Sequence, residues 1–400
     1  MNNPLKDIEI LFGKEINLNS FLQMPGEEPF SEKAISFLNA LSIVLRKNAK
    51  TNLFPEIITF AFFSRKANLV QMKKVYYPQN NMRIGRGVVF HISPSNMPLN
   101  FAYTLVSGIL SGNLNIMRLP STKFEQVEII CQAIKTVSEK QKFELFSKRI
   151  LLVRYDRQSA ATEYFSSICD ARIIWGGDSS IQEIQKNSLA PGVIDITFAD
   201  KYSICVINAD EYCHEQKPQK IAQEFYNDTY LFDQNACTSP HLIVWLGTKQ
   251  NISSSKEIFW TSLYQIVKTT YRLQEHAALD KLANFYKMSI HLEGISKTEM
   301  PDNLIWRIEM DKLTPDIEKL RCNCGYFIEY SADSLFELSK IISKKTQTFA
   351  CYGIQREELM DIIRLKKQNG TANIVPIGKT SNFSLTWDGY NLIDSLSKEV

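Results

Sequence analysis

A cysteine among small polar neighbours is the strongest sign of chemistry in this sequence. Cys237 lies in the segment 233–240, which ends at a proline and has no bulky side chains. The hydrophobic pattern predicts a helix over 221–232 before this segment and a buried strand over 242–246 after it. A thiol held on a short connection between two rigid elements is well placed to attack a carbonyl carbon. A buried core cysteine is the alternative for any single cysteine.

A second candidate for chemistry is an asparagine between two prolines. Asn96 follows Pro94 and precedes Pro98, and proline restricts the backbone on both sides of it. Thiolate attack on a carbonyl creates an oxyanion. The amide of Asn96 and the backbone N–H of the nucleophile could donate hydrogen bonds to that oxyanion. A plain turn is the alternative for Asn96. His91 ends the preceding predicted strand and is either a catalytic proton donor or a structural residue.

Alternating strands and helices position these residues. The segments predicted as strands are 87–92, 114–119, 150–153 and 171–175, and those predicted as helices between them are 98–110, 122–139 and 159–168. This alternation predicts an α/β fold with a parallel sheet covered by helices on both faces. Such sheets bind ligands at the carboxyl ends of their strands. We expect a Rossmann-type cofactor-binding domain with N-terminal helices over 1–200.

Two glycines at one of these strand ends suggest a nucleotide site. Gly176 and Gly177 follow the strand 171–175 and precede a predicted helix. Glycines in this position let a pyrophosphate approach the backbone and a helix N-terminus. The signal is weak by itself because no G-x-G-x-x-G fingerprint is present.

The second half of the chain predicts another α/β domain. We expect it to span 201–365 and to carry Cys237, with a C-terminal segment, 366–400, that returns to the cofactor domain or to an oligomer interface. A long helix is predicted over 54–74, a long helical region over 253–288, and a shorter helix over 333–344.

Composition and local sequence patterns argue against several kinds of partner and indicate a cellular compartment. The 400 residues carry a net charge of only +3, which does not favour nucleic acid or a membrane surface. The segment 87–117 lacks charged residues, but prolines and asparagines interrupt it, so it predicts a buried strand, loop and helix and not a membrane span. The N-terminus lacks the apolar core of a signal peptide, and we expect a cytoplasmic protein with reduced thiols. Cys322 and Cys324 form a close pair without a second one, and no metal site is expected.

Several segments resemble a known superfamily. The loop 93–99 resembles the Pro-x-Asn-x-Pro loop of the aldehyde dehydrogenases, and 114–121 resembles their cofactor-ribose segment, with Arg118 where a lysine is usual. More closely, the chain resembles the LuxC-type acyl-CoA (acyl-protein thioester) reductases. The matching segments, which follow the family's order, are 54–69, 87–98, 175–178, 233–240 and 375–390.

The resemblance implies an aldehyde dehydrogenase-like fold and reduction of a fatty acyl thioester to the aldehyde with a nicotinamide cofactor, usually NADPH. It makes Cys237 the acylated nucleophile and Asn96 the oxyanion donor. The residues expected to line the cofactor site are Arg118, Pro120, Ser121, Lys123, Trp175, Gly176 and Gly177. By their charge, Arg118 and Lys123 are candidates for contact with a 2′-phosphate. Expected partners are an acyl-protein synthetase or acyl carrier protein and further copies of the chain.

One departure from the superfamily bears on the reaction. Thr197 stands where hydrolytic aldehyde dehydrogenases carry a glutamate that activates water, and a thioester reductase must not hydrolyse its acyl-enzyme. Thr197 therefore disfavours an ordinary NAD(P)-dependent aldehyde dehydrogenase. A non-catalytic subunit of an acyl-protein synthetase complex is a further alternative, which the pair Asn96 and Cys237 disfavours. His241 stands where the closer family has an arginine, and is either a proton donor near Cys237 or a structural residue at a strand start.

Overall fold

The computed structural model describes residues 5–78, 82–298, 300–366 and 372–400, so part of the predicted C-terminal segment, 367–371, lies outside the described residues. The chain divides into two compact units. Unit 1 comprises Met1–Ala199 and Phe383–Val400, and unit 2 comprises Asp200–Asn382. The functions assigned to the sequence-derived domains stay predictions.

Unit 1 is built on a six-stranded sheet. The strands of the unit before residue 200 are β1 (Glu9–Phe12), β2 (Arg83–Gly85), β3 (Val88–Ile92), β4 (Leu114–Arg118), β5 (Ile150–Arg154), β6 (Ala171–Trp175) and β7 (Ile194–Phe198). All of these except β2 belong to the six-stranded sheet. The sheet order is β1-β5-β4-β3-β6-β7, with β3 to β7 parallel and β1 antiparallel at the edge. Every residue of β3, β4, β5 and β6 is buried, as expected of parallel strands covered on both faces.

Nine α-helices precede or connect these strands in the described part of unit 1 before residue 200. They are α1 (Leu18–Leu22), α2 (Glu32–Lys47), α3 (Pro55–Phe63), α4 (Lys66–Tyr76), α5 (Asn100–Leu110), α6 (Glu125–Ser138), α7 (Glu144–Ser147), α8 (Ala161–Ile168) and α9 (Asp178–Gln185). Ten of the eleven residues of α5 are buried, which accounts for the uncharged segment. Among the described residues, no helix combines the length and apolar character needed to cross a membrane.

The single helix predicted over 54–74 is wrong, because the structure has two helices there. Side chains bond the backbone groups that a continuous helix would use itself. The backbone N–H of Lys66 donates to Asn39 Oδ1 at 2.9 Å, and Asn68 Nδ2 donates to the carbonyl of Phe63 at 2.7 Å. These bonds end α3 and start α4.

Unit 2 is built on a seven-stranded sheet. Its strands are β8 (Tyr202–Asn208), β9 (Pro240–Leu246), β10 (Ile295–Thr298), β11 (Trp306–Met310), β12 (Tyr326–Ala332), β13 (Thr346–Tyr352) and β14 (Asn373–Pro376). The order is β10-β11-β12-β9-β8-β13-β14, parallel except for β10 at one edge. The α-helices of the unit are α10 (Ala209–Tyr212), α11 (Pro218–Thr229), α12 (Lys249–Thr270), α13 (Glu275–His291) and α14 (Arg356–Leu365).

The structure divides one helical region predicted in unit 2 into two helices and contradicts another prediction. The region 253–288 is divided between α12 and α13, because the chain leaves the helix at Tyr271, whose hydroxyl donates to Asp233 Oδ1 at 2.6 Å. The region 333–344 contains only the 3₁₀ helix Leu335–Lys340. There the Glu337 carboxylate accepts bonds from the backbone N–H of Asp333 and the hydroxyl of Tyr330, which favours a turn over a helix.

The last residues of the chain complete unit 1. They form the hairpin β15 (Thr386–Trp387) and β16 (Tyr390–Asn391), the short helix α15 (Leu392–Ser395) and the strand β17 (Ser397–Glu399). β17 pairs antiparallel with β2, and Asn113 Nδ2 donates to the carbonyl of Leu396 at 2.8 Å. Unit 2 is thus inserted between two parts of unit 1.

Candidate active site

Cys237 lies in a turn at the amino end of β9. The turn follows α11 and the 3₁₀ helix Tyr230–Phe232, and Cys237 is partly exposed. The Ser203 hydroxyl at the start of β8 donates to the carbonyl of Cys237 at 2.7 Å. The sequence-predicted setting, a cysteine between a helix and a buried strand, is therefore what the structure has.

Gln234 holds this turn in place. Its side chain is 1% exposed and makes four hydrogen bonds. Oε1 accepts from the backbone N–H groups of Gly325 and Tyr326 at 2.9 and 3.0 Å, and Nε2 donates to the carbonyls of Pro240 and Tyr326 at 3.0 and 3.1 Å. One amide thus fastens the turn to the start of two strands, β9 and β12. Four buried bonds fix the backbone three residues before Cys237.

The turn also needs unusual backbone angles. Asp233 and Gln234 have φ of 50° and 60°, in the left-handed region that L side chains rarely adopt. Bonds from outside the turn hold this conformation. Tyr271 bonds the carboxylate of Asp233, and the backbone N–H of Cys324 donates to the carbonyl of Asp233 at 3.0 Å. Strain kept in place by surrounding contacts is typical of functional turns.

The two cysteines beside the turn are poor nucleophiles. Burial raises the pKa of both Cys322 and Cys324 above the ordinary value of 9.0, which keeps them as thiols at neutral pH. The residue between them, Asn323, donates from Nδ2 to Asn235 Oδ1 at 2.7 Å, so this segment braces the turn. Among the described residues, no group of three or more potential metal ligands comes together.

A buried carboxylate anchors the end of α11. Asp228 is fully buried and accepts bonds from the backbone N–H groups of Gly378 and Thr380 at 2.6 and 3.1 Å. Burial raises its pKa to about 6 despite these bonds. The Ser239 hydroxyl donates to the carbonyl of Asp228 at 2.7 Å, which links the far side of the Cys237 turn to the same helix end.

His241 is buried, with an interior contact on each side of its ring. Nδ1 donates to the carbonyl of Cys322 at 3.1 Å, and the ring stacks on Tyr202 with centroids 5.9 Å apart. Burial, followed by the positive charge of Arg321, lowers its pKa to about 3. The ring is therefore neutral at pH 7, which favours the structural role.

The predicted cofactor residues come together at one edge of the unit 1 sheet. Ile92, near the end of β3, pairs with Arg118 on β4 and Ile174 on β6. The chain runs from β3 to β4 and β5 on one side and returns to β6 on the other. The carboxyl ends of β3 and β6 therefore form the topological switch point at which such sheets bind ligands. Asn96 is exposed in the turn that follows β3, on this edge.

The residues after β4 differ in how freely they can meet a ligand. Arg118 is 9% exposed. Its guanidinium lies over the Tyr155 ring at 4.8 Å and donates to the carbonyl of that residue at 3.4 Å. The carbonyl of Pro120 accepts from Arg154 Nε at 3.1 Å. Ser121 and Lys123 are exposed. Lys123 is thus the more accessible of the two predicted cations.

The residues after β6 fit a bound nucleotide. Trp175 is 7% exposed and stacks on Phe198 at 4.0 Å, yet its Nε1 is buried with no hydrogen-bond partner among the described residues. Gly177 immediately precedes α9, and a Cβ added there would meet no atom within 4 Å. An unpaired donor and open space before a helix N-terminus are features that an anionic ligand would use.

His91 lies beneath this edge and is fully buried. Nε2 donates to Asn115 Oδ1 at 3.0 Å, and Nδ1 accepts from the Thr104 hydroxyl at 2.9 Å. Burial lowers its pKa to about 4. Both nitrogens fasten β3 to β4 and α5, which favours the structural role; the catalytic assignment of His91 stays a prediction.

A family comparison decides what the chain is. The model of the family described as acyl-CoA reductase (LuxC) matches residues 11–398. The chain belongs to the LuxC acyl-CoA reductase family. The family resemblance derived from the sequence is confirmed.

Two curated relatives of this LuxC-family chain are long-chain acyl-protein thioester reductases. The one from Vibrio harveyi is 24% identical over 273 residues, covering 67% of this chain and 54% of the relative. The one from Aliivibrio fischeri is 24% identical over 162 residues, covering 40% of this chain and 32% of the relative. The chain thus spans about half the length of the first relative and a third of the second.

Solved structures show the fold. An NAD-dependent benzaldehyde dehydrogenase from Corynebacterium glutamicum matches with a TM-score of 0.62 and 12% identity, covering 95% of this chain and 86% of that one. Aldehyde dehydrogenase 21 from Physcomitrella patens matches with a TM-score of 0.65, at the same identity and coverage. The predicted aldehyde dehydrogenase-like α/β fold is therefore confirmed.

Two features of the LuxC-family site complete its description. Thr197 is half-buried on β7 and paired in register with Ile174 of β6. Its correspondence to the water-activating glutamate of other enzymes stays a prediction. Gln234 was missed by sequence reasoning. A glutamine three residues before a candidate nucleophile is a weak signal, since its partners Gly325 and Tyr326 are distant in the sequence.

Proposed function

We propose that this LuxC-family chain reduces a fatty acyl thioester to the fatty aldehyde, with NADPH as cofactor and an acyl group carried on Cys237. The observation that carries the proposal is a partly exposed thiol on a turn locked by Gln234, in a chain of the acyl-CoA reductase family. Acyl-CoA, an acyl carrier protein and an acyl-protein synthetase are the acyl donors that fit this chemistry, in a cytoplasmic setting.

The chain's own residues perform the acyl transfer. The Cys237 thiolate attacks the thioester carbonyl carbon, a new C–S bond forms, and the donor thiol leaves with a proton. Because Gln234 and Ser203 fix the backbone around Cys237, the thiolate meets the carbonyl without first ordering its turn. Asn96, as oxyanion donor, stays a prediction from the resemblance.

Reduction needs a hydride that the chain does not contain. A nicotinamide cofactor, when bound, would supply that hydride. Once the acyl carbon has gained it, the C–S bond to Cys237 breaks, the aldehyde leaves and the Cys237 thiolate is regenerated. Gly176, Gly177 and Trp175 would hold the cofactor at the switch point, since their surroundings offer open space and an unpaired donor. Lys123 is the exposed cation for a 2′-phosphate, which supports NADPH over NADH.

The proposal is tested on the intact chain by separating acylation from reduction. Incubation with a long-chain acyl-CoA without cofactor should give a thioester on Cys237, located by mass spectrometry, and addition of NADPH should release one aldehyde per acyl group. Cys237→Ala should abolish both. Cys351→Ala is the matched control, because Cys351 is also partly exposed but burial raises its pKa to about 12.

Other outcomes point to the alternatives. A thioester that persists in Cys237→Ala removes the assignment of the nucleophile. Acylation that is not followed by aldehyde release with either NADPH or NADH would identify the chain as an acyl-transfer subunit without reductase activity. Rapid oxidation of aldehyde to free acid without CoA identifies an ordinary aldehyde dehydrogenase.

A further inference from the structure

The outer face of α13 carries a stripe of exposed apolar side chains. Leu279, Tyr286 and Ile290 are 69%, 60% and 77% exposed, and Leu282 and Ala283 are exposed beside them. The opposite face of the same helix is the one that packs against unit 2, through Ala277, Lys281 and Met288. The stripe is therefore additional to the face that the fold needs, and an apolar stripe in water marks an interaction surface.

The spacing of the stripe matches a helix-pairing seam. Leu279, Ala283, Tyr286 and Ile290 follow each other at alternating intervals of four and three residues, the pattern of core positions in a coiled coil. If a second α13 lies antiparallel on the first, Leu279 meets Ile290 of that second copy and Ala283 meets its Tyr286. Each large ring then lies opposite a small side chain, so the stripe is complementary in size to itself.

The charges beside the stripe are complementary in the same arrangement. Asp280 and Lys287 are both exposed, lie on the same side of the stripe and are one heptad apart. In an antiparallel pair the same side of both helices meets, in reversed order. Asp280 then lies next to Lys287 of the other copy, and the pair occurs twice by symmetry. A parallel pair would instead place these two positions on opposite margins of the interface, where Asp280 and Lys287 do not meet.

We propose that α13 is a homodimer interface in which two copies of this chain pair antiparallel through the stripe Leu279, Ala283, Tyr286 and Ile290. The Asp280–Lys287 pairs at its margin fix the direction and register of the helices. The interface is isologous, since the same residues of both copies form it.

A charge-swap cycle tests this arrangement in the full-length protein. Sedimentation velocity over a concentration series should show the wild type as an assembly with an even number of 45.9 kDa chains. Asp280→Lys and Lys287→Asp should each raise the dissociation constant about tenfold, because each puts two like-charge pairs at the interface. The double variant should return to within about twofold of the wild type, since the swap restores both pairs.

Controls separate this interface from any other. Glu257→Lys changes the net charge as Asp280→Lys does, at an exposed position on α12, and should leave the mass unchanged. Tyr286→Asp should halve the mass with an unchanged thermal transition, since the ring contributes to no core in the single chain. A monomeric wild type, single reversals without effect, or a double variant as weak as the singles would each overturn the proposal.

Discussion

Replacing Gln234 by leucine should loosen the Cys237 turn with little change in volume. Leucine fills a similar space but removes all four side-chain bonds to the backbone, two from N–H groups and two to carbonyls. At about 1 kcal/mol for each bond, the free energy of unfolding of unit 2 should fall by about 4 kcal/mol. For a unit of this size, that lowers its thermal transition by about 10 °C.

The functional consequence is measured on Cys237 with two reagents. Acyl transfer from a long-chain acyl-CoA requires the turn in one conformation and should slow by about a hundredfold. Alkylation by iodoacetamide requires only access and should not slow. Gln223→Ala is the matched control, since Gln223 lies on the surface of α11 with a single side-chain bond, to Asn227.

A second substitution at the same position sharpens the test. Gln234→Glu keeps the acceptor for Gly325 and Tyr326 but sets an oxygen against the carbonyls of Pro240 and Tyr326. Protonation of the new carboxylate restores one hydrogen-bond donor. The free energy of unfolding of this variant, relative to the wild type, should therefore be higher at pH 5 than at pH 8. A Gln234→Leu protein with an unchanged transition and unchanged acylation would refute the role of this amide.

Four further outcomes are expected. Asn96→Ala should keep the fold and lower the acylation rate by on the order of 10²–10³-fold, measured by quenched flow; an unchanged rate removes Asn96 from the reaction. Gly177→Ala should leave the thermal transition unchanged, since its Cβ meets no atom, and weaken NADPH binding about tenfold in a fluorescence titration. With Thr197 in place of a glutamate, the acyl-enzyme should persist for hours in buffer, as followed by mass spectrometry, and yield to added CoA; fast hydrolysis would show that another base activates water. Burial lowers the pKa of His91 from its ordinary 6.5 to about 4. Between pH 6.5 and 4, the unfolded chain therefore binds a proton at His91 that the folded chain does not bind. Falling pH between these values should therefore destabilise unit 1 by up to about 3 kcal/mol, a slope that chemical denaturation should show to be smaller in His91→Gln.

The parallel sheet was predictable because its strands are short apolar segments between clear turns. The segment predicted at 171–175 is β6 itself, and that at 114–119 exceeds β4 by one residue. Helix ends set by distant side chains were not predictable. Within the region 54–74, Asn39 bonds the backbone of the first residue of α4. Within the region 253–288, Asp233 bonds Tyr271, the residue at which α12 ends. In both cases the deciding partner is far away in the sequence, where periodicity carries no signal.

The candidate site, too, was predictable only in its local features. Residue types and spacing were sufficient to single out Cys237 and Gly177, because small neighbours and strand ends are local features. The hydrogen bonds that hold the Cys237 turn were not predictable, since Gln234 bonds a strand that begins at Tyr326, 92 residues later in the chain. The resemblance to known reductases added the chemistry but not this contact.

The insertion of unit 2 into unit 1 has a consequence for synthesis on the ribosome. Unit 2 is continuous, Asp200–Asn382, and can fold as soon as it has emerged. Unit 1 cannot, because β2 waits for its partner β17, and the ring of Trp175 waits for Trp387, with which it packs at 5.7 Å. The nascent chain thus carries an unpaired β2 and an incompletely covered Trp175 ring throughout translation of the insert. Synonymous changes that slow translation of residues 200–400 should lengthen this vulnerable interval and lower the yield of intact protein. Equal delays before residue 83, where β2 has not yet been made, should matter less.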